Sequence, residues 1–168
     1  MRVLHYNRPC MYFISMLLDS PTVLLVEDGH SERELFAIAG EKAGVRFSLR
    51  HAVDGLEALD YLNGHSVFAD RTAYPFPSLV ILDVNMPKMS GFEVLQWIRS
   101  HPGIRELPVI MWTSSTSEAD IRRAYSLAAN SYLVKPMSIG LLVDMVRQID
   151  DYWLKLNHLP RIEPQSAP

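Results

Sequence analysis

Three acids and one lysine stand where short apolar runs end. Glu27 and Asp28 follow Thr22-Val-Leu-Leu-Val26, Asp83 follows Leu79-Val-Ile-Leu82, and the pair Lys135-Pro136 closes a third run ending at Val134. Carboxylates gathered in one place bind a hard divalent cation through oxygen. A lysine beside them supplies a point charge for phosphate. The chemistry these residue types suggest is a cation site that handles a phosphoryl group.

Bulk properties allow such a site without demanding it. A chain of 168 residues reads as one domain with one good core. With 48% hydrophobic and 21% charged residues, neither a disordered nor a fibrous protein is indicated. A formal charge of −3 offers no overall basic footprint, which argues against non-specific nucleic-acid binding. Cys10 is the single cysteine and has no partner for an internal disulfide, so a reducing cytoplasm is the simplest setting. Arg2 and Arg8 precede an apolar stretch from Pro9 to Leu18 that faintly resembles a signal peptide. It lacks a small-residue cleavage site and is too short to span a bilayer, so no membrane segment is expected. Residues 1–20 read as an N-terminal extension, with Met16 an equally good start.

The elements that must position the chemistry follow as alternating strand and helix patterns. Thr22 to Val26 is apolar throughout, as a parallel strand covered on both faces should be. Ser31-Glu-Arg-Glu34 predicts a capping box opening a helix to about Ala43, stopped by Gly44. Phe47, Leu49 and His51 alternate as in an edge strand, and a helix from Gly55 to Leu62 follows, ended by Asn63-Gly64. Ser78 to Leu82 is the third strand. Ser90 with Glu93 predicts a second capping box ahead of Phe92, Leu95 and Ile98. Pro108 to Trp112 reads as the fourth strand, Ser117 as the cap of a helix to about Ala129, and Ser131 to Val134 as the fifth strand. Ser138 opens a long last helix with Leu142, Met145, Ile149, Trp153 and Leu156 at helical spacing.

Strands alternating with helices in this way predict an α/β domain with a parallel sheet and helices on both faces. Ligands of open sheets sit at the carboxyl ends of the strands, at the switch point. Glu27, Asp28, Asp83, Thr113 and Lys135 all fall at such ends. The long loop from Gly64 to Pro77 reads as a surface insertion.

Val26-Glu27-Asp28, Asp83-Val-Asn-Met-Pro-Lys-Met-Ser-Gly91, Thr113-Ser114, Tyr132 and Lys135-Pro136, taken in order, resemble the receiver domain of bacterial two-component response regulators. The resemblance runs from about Pro21 to Leu159. The final segment Asp151-Tyr-Trp-Leu-Lys-Leu-Asn-His-Leu-Pro160, with Ala124-Tyr125 and Asn130-Ser-Tyr-Leu-Val-Lys135, is similar to the single-domain regulators paired with phytochrome-type histidine kinases. The resemblance implies a flavodoxin-like (βα)5 sheet of order 2-1-3-4-5. It divides the chain into an extension (1–20), a receiver domain with a long final helix (21–160) and a tail (161–168).

The same resemblance assigns roles. Asp83 matches the phosphoacceptor, taking a phosphoryl group from a histidine kinase. Glu27, Asp28 and Asp83 match ligands of Mg2+, Glu27 through water, and Asn85 matches one through its backbone carbonyl. Glu27 departs from the commoner aspartate. Thr113 and Lys135 match the groups that hold the phosphoryl oxygens, and Thr113 with Tyr132 matches the conformational switch. The Lys135-Pro136 bond is a candidate cis peptide aiming the lysine inward. A homodimer through the last helices is expected, since Tyr152, Trp153, Leu154, Leu156 and Leu159 carry more apolar surface than one buried stripe.

Plainer readings stand beside these. Thr113 also suits a strand on propensity, Asn85 a turn, and Tyr132 simple packing on the last two strands. Gly91 reads as a close-packing residue and Trp112 as strand packing. His5, His30, His51, His65, His101 and His158 are dispersed and predict no metal cluster. No effector or DNA-binding domain is expected to follow. Two other classes remain open: a pseudo-receiver that binds partners without phosphorylation, and a phosphatase using Asp83 as nucleophile. Haloacid-dehalogenase-type enzymes usually carry a second aspartate two residues later, where this chain has Asn85.

Overall fold

Apolar runs at β1 (Thr22–Val26), β3 (Leu79–Leu82) and β4 (Val109–Thr113) become the fully buried centre of a five-stranded sheet in the computed structural model, which describes residues 20–160 and 162. Cys10 and nearly all of the expected extension and tail lie outside those residues. The strand order is β2-β1-β3-β4-β5, all pairs parallel, with β2 (Ser48–Ala52) and β5 (Ser131–Val134) at the edges. This is the predicted (βα)5 arrangement, with α1 (His30–Ala43), α2 (Gly55–Asn63), α3 (Gly91–Ser100) and α4 (Glu118–Ser126) as crossovers and α5 (Ile139–Ile149) following the last strand.

The period of two along a strand sends alternate side chains to opposite faces. Leu24, Val26, Val80, Leu82, Val109 and Met111 pack with residues of α2, α3 and α4. Val23, Leu25, Leu79, Ile81, Ile110 and Trp112 pack with Phe36 and Ala39 of α1 and Leu142, Val146 and Ile149 of α5. Both faces of the sheet are thus covered, which is why the central strands contain no polar alternation. Among the described residues, no helix is long and apolar enough to cross a membrane.

Several local expectations change. The Ser31–Glu34 capping box does not form: Gly29 occupies the N-cap, and Ser31 lies inside α1. The Ser90–Glu93 box does form at α3. Ser117 stands at the N-cap of α4 without a side-chain cap bond, and α4 stops at Ser126. Phe47, just before β2, and Leu49 within it pack on the α1 side, but His51 is exposed. The 64–77 loop is not merely a surface insertion. It carries a 3-10 turn (Ser66–Ala69) whose Phe68 is buried against Tyr61 and Tyr74, each 5.1 Å between ring centroids. Arg71 then donates to the terminal carbonyls of α2, Tyr61 and Leu62, at 2.8 Å each.

The long last helix is split. Beyond Ile149 the chain continues as a π-helical turn, Asp150–Leu156. Five-residue spacing suits that wider turn: Lys155 reaches buried Asp150 at 2.8 Å, and Asp151 at 2.8 Å. Leu142 and Ile149 are buried and Met145 and Trp153 half-buried, as the pattern predicts, but Leu156 faces solvent.

Candidate functional site

Glu27, Asp83 and Lys135 stand one step beyond the strands that carry them, and Thr113 is the last residue of β4. Sheet hydrogen bonding continues past the ends: Glu27 N–H donates to Ala52 (3.1 Å), Asp83 N–H to Val26 (3.0 Å) and Lys135 N–H to Thr113 (2.8 Å). Each backbone is therefore held by a neighbouring strand while its side chain is free to leave the sheet. Glu27 is 2% exposed and Asp83 5%, Thr113 is fully buried, and Asp28 is exposed.

Lys135 joins the two buried acids. Its Nζ lies 2.6 Å from Glu27 Oε2 and 3.1 Å from Asp83 Oδ2. Glu27 Oε1 accepts from Gly29 N–H at 3.1 Å, and Asp83 Oδ1 from Val84 N–H at 2.7 Å. Burial pushes the Glu27 carboxyl above its ordinary range; Lys135 opposes this and the Asp83 charge adds to it. Burial also opposes the charge of Lys135, but the two acids outweigh it and its pKa is raised. The site therefore stores negative charge against a single cation.

One carboxylate oxygen from each of Glu27, Asp28 and Asp83 lies within 4.8 Å of the others. An all-oxygen set of this kind fits a hard divalent ion such as Mg2+. Among the described residues no histidine joins this group: His30 pairs with Glu34 and His65 with Asp60, both at 3.5 Å on the surface. Asn85 is exposed on the loop between β3 and α3.

Thr113 and Tyr132 meet through one loop. The Thr113 hydroxyl accepts from Ser115 N–H at 3.3 Å, and Tyr132 donates its hydroxyl to the Ser115 carbonyl at 3.0 Å. The Tyr132 ring packs half-buried against the core. The expected cis peptide at Lys135-Pro136 is absent: the bond is trans, and Lys135 reaches the acids without it. Gly91 is a close-packing residue, since a Cβ there would collide with the Asp83 carbonyl oxygen.

Four contributors had no signal of their own in the sequence. Arg33 of α1 donates through one nitrogen to the carbonyls of Glu27 (2.6 Å) and Asp28 (2.8 Å). Buried Asp54, which caps α2, pairs with Lys88 at 2.5 Å. Lys88 holds the left-handed conformation at φ 65°, and a Cβ on Gly55 would lie 2.6 Å from the Met89 carbonyl. The loop after Asp83 is thus braced against the start of α2. Last, the Trp112 ring lies beneath Lys135, its centroid 4.9 Å from Nζ.

A family model for the response regulator receiver domain matches residues 23–147. The probable methanogenesis regulatory protein FilR2 of Methanothrix harundinacea is 41% identical over 82% of this chain and 86% of its own. Among solved structures, response regulator RPA3017, in red light signaling of R. palustris, superposes with TM-score 0.80 at 37% identity, covering 84% of this chain and 99% of its own. The phosphorylated cyanobacterial phytochrome response regulator RcpA superposes with TM-score 0.78 at 32% identity, over 85% and 100%. The Mn2+-bound form of Rcp1, a response regulator of Synechocystis, does so with TM-score 0.74 at 33% identity, over 84% and 99%.

Proposed function

The chain belongs to the response regulator receiver domain family, and on that premise we propose that it is a phosphoacceptor of two-component signalling with Asp83 as the accepting residue. The observation that carries this reading is the buried Asp83 carboxylate, ion-paired to Lys135 and grouped with Glu27 and Asp28 at the strand ends. An Asp83 oxygen attacks the phosphorus of a phosphohistidine on the donor kinase. The P–N bond breaks, its electron pair returns to the imidazole, and an acyl phosphate forms.

The protein contributes position and charge. Lys135 turns from the free carboxylates to the incoming phosphoryl oxygens, and the Thr113 hydroxyl meets another. Asp28, Asp83 and the Asn85 carbonyl, with Glu27 through water, would hold Mg2+, which would neutralise the clustered acids and the transferred group. The crystal form of relative Rcp1 with Mn2+ supports a divalent ion at such a site. When Thr113 moves toward the phosphoryl group, Ser115 and the Tyr132 hydroxyl bonded to it follow, which turns a charge into a shape change.

The partner is a histidine kinase in the cytoplasm. The red-light and phytochrome regulators that this chain resembles support a phytochrome-type kinase. A homodimer uses the apolar surface of the last elements. Incubation with a small-molecule phosphodonor and Mg2+, followed by intact mass measurement, tests the chemistry. One added phosphoryl group is expected, dependent on Mg2+ and absent in Asp83→Asn. No adduct in the parent protein with any donor favours the pseudo-receiver, and sustained turnover of an unrelated phosphoester favours the phosphatase.

A further inference from the structure

Lys135 has three partners, and two of them are the carboxylates of Glu27 and Asp83. The third is the face of Trp112, 4.9 Å from the ammonium to the ring centroid. A lysine over an indole at this distance is attracted by the ring quadrupole, and most strongly where water is excluded. Here it is excluded: Trp112 is 2% exposed, and the Lys135 side chain is largely covered.

The ring is fixed in that orientation. Phe36 packs edge-on against it at 5.1 Å and 73°, and Trp112 sits among the α1 and α5 side chains on its face of the sheet. Its indole N–H is buried and has no hydrogen-bond partner among the described residues. A buried unpaired donor is unfavourable. A hydrocarbon side chain would carry no such unpaired donor, so the indole is better explained by what its face does.

A divalent ion at this acid group would compete with Lys135 for the negative charge of the same two carboxylates, Glu27 and Asp83. An ion held there, by Asp83 directly and by Glu27 through water, would weaken both of the lysine's ion pairs and repel the ammonium. The neutral ring is the one partner the ion cannot take. We propose that Trp112 is a positioning residue that keeps Lys135 over the site while a cation occupies the acids, so that the ammonium remains aimed at the incoming phosphoryl group. The role in phosphoryl transfer rests on the function proposed above; the contact itself does not.

Two measurements separate these. Lys42, Lys88, Lys135 and Lys155 are the only lysines in the sequence, so selective labelling resolves the ε-methylene signals by NMR. The Lys135 signal should lie upfield of the other three through the ring current. That displacement should persist on Mg2+ saturation and in Glu27→Gln, and vanish in Trp112→Leu. Return of Lys135 to the position of the other lysines, under Mg2+ or in Glu27→Gln, overturns the proposal whatever Asp83 does. In a Trp97→Phe, Trp153→Phe background, fluorinated tryptophans at Trp112 weaken the ring face at nearly constant volume. The phosphorylation rate at saturating Mg2+ should fall stepwise with each fluorine, by about tenfold across the series, and the trend should disappear in Lys135→Met. A flat series overturns the proposal, because packing alone predicts one. Absence of any adduct counts against the phosphoacceptor reading, and the NMR displacement still decides the contact.

Discussion

Glu27 and Asp54 are both buried acids paired with lysines, yet their acidities move in opposite directions. Burial dominates at Glu27, so its folded pKa lies above the ordinary 4.5. The folded protein then holds that proton more firmly than the unfolded chain does. Its contribution to stability is full below pH 4.5 and is lost as pH rises through the folded value. At Asp54 the Lys88 hydrogen bond dominates and holds the carboxyl below its ordinary 3.8. That contribution is present above pH 3.8 and is lost as pH falls through the folded value. Denaturant unfolding of the metal-free protein across pH should show both signs. Glu27→Gln should flatten the decline above pH 4.5, and Lys88→Met should flatten the acid limb. An acid limb unchanged by Lys88→Met would show that the brace between Lys88 and Asp54 is not maintained in solution.

Two copies of one four-residue pattern meet different fates at the level of elements. Ser31-Glu-Arg-Glu34 and Ser90-Gly-Phe-Glu93 both read as capping boxes, but only the second begins its helix with the serine. At the first, the backbone of Gly29 is drawn to Glu27 Oε1, and the helix starts one residue before Ser31. Ser90→Ala should cost about 1 kcal/mol, whereas Ser31→Ala should stay within about 0.5 kcal/mol; thermal or denaturant unfolding distinguishes them. What was legible in the sequence has one source: apolar period and strand-end placement are local. Thus β1, β3 and the positions of Glu27, Asp83 and Lys135 could be read directly. Arg33, the Lys88–Asp54 pair and the Trp112 face could not, because each acts on a residue brought near only by the fold. The aromatic packing of Phe68 and Tyr74 was hidden for the same reason, since no period marks it. The π turn was hidden differently: its apolar residues keep helical spacing, and only the Asp150–Lys155 pair reveals the wider turn.

Across the whole molecule, the sheet is covered on both faces but not along its β5 margin. Leu133, Pro136, Leu141, Met145, Tyr152 and Trp153 line a groove of about 550 Å³ there. Leu141 is 60% exposed and Tyr152 56%. If this margin carries the proposed self-association, sedimentation at tens of micromolar should show a dimer that Leu141→Glu with Tyr152→Glu converts to monomer while the circular dichroism of the fold is retained. A monomer in the unaltered protein removes that reading.

The strand at that margin has a second consequence, in time instead of space. Glu27 and Lys135 touch across 108 positions of sequence, and β5, which delivers Lys135, is the last strand and pairs on one side only. A ribosome releases the acids long before the lysine. During synthesis the growing chain therefore displays Glu27, Asp28 and Asp83 without the group that completes their site. On the function proposed above, competence to accept a phosphoryl group is complete only when the fifth strand docks.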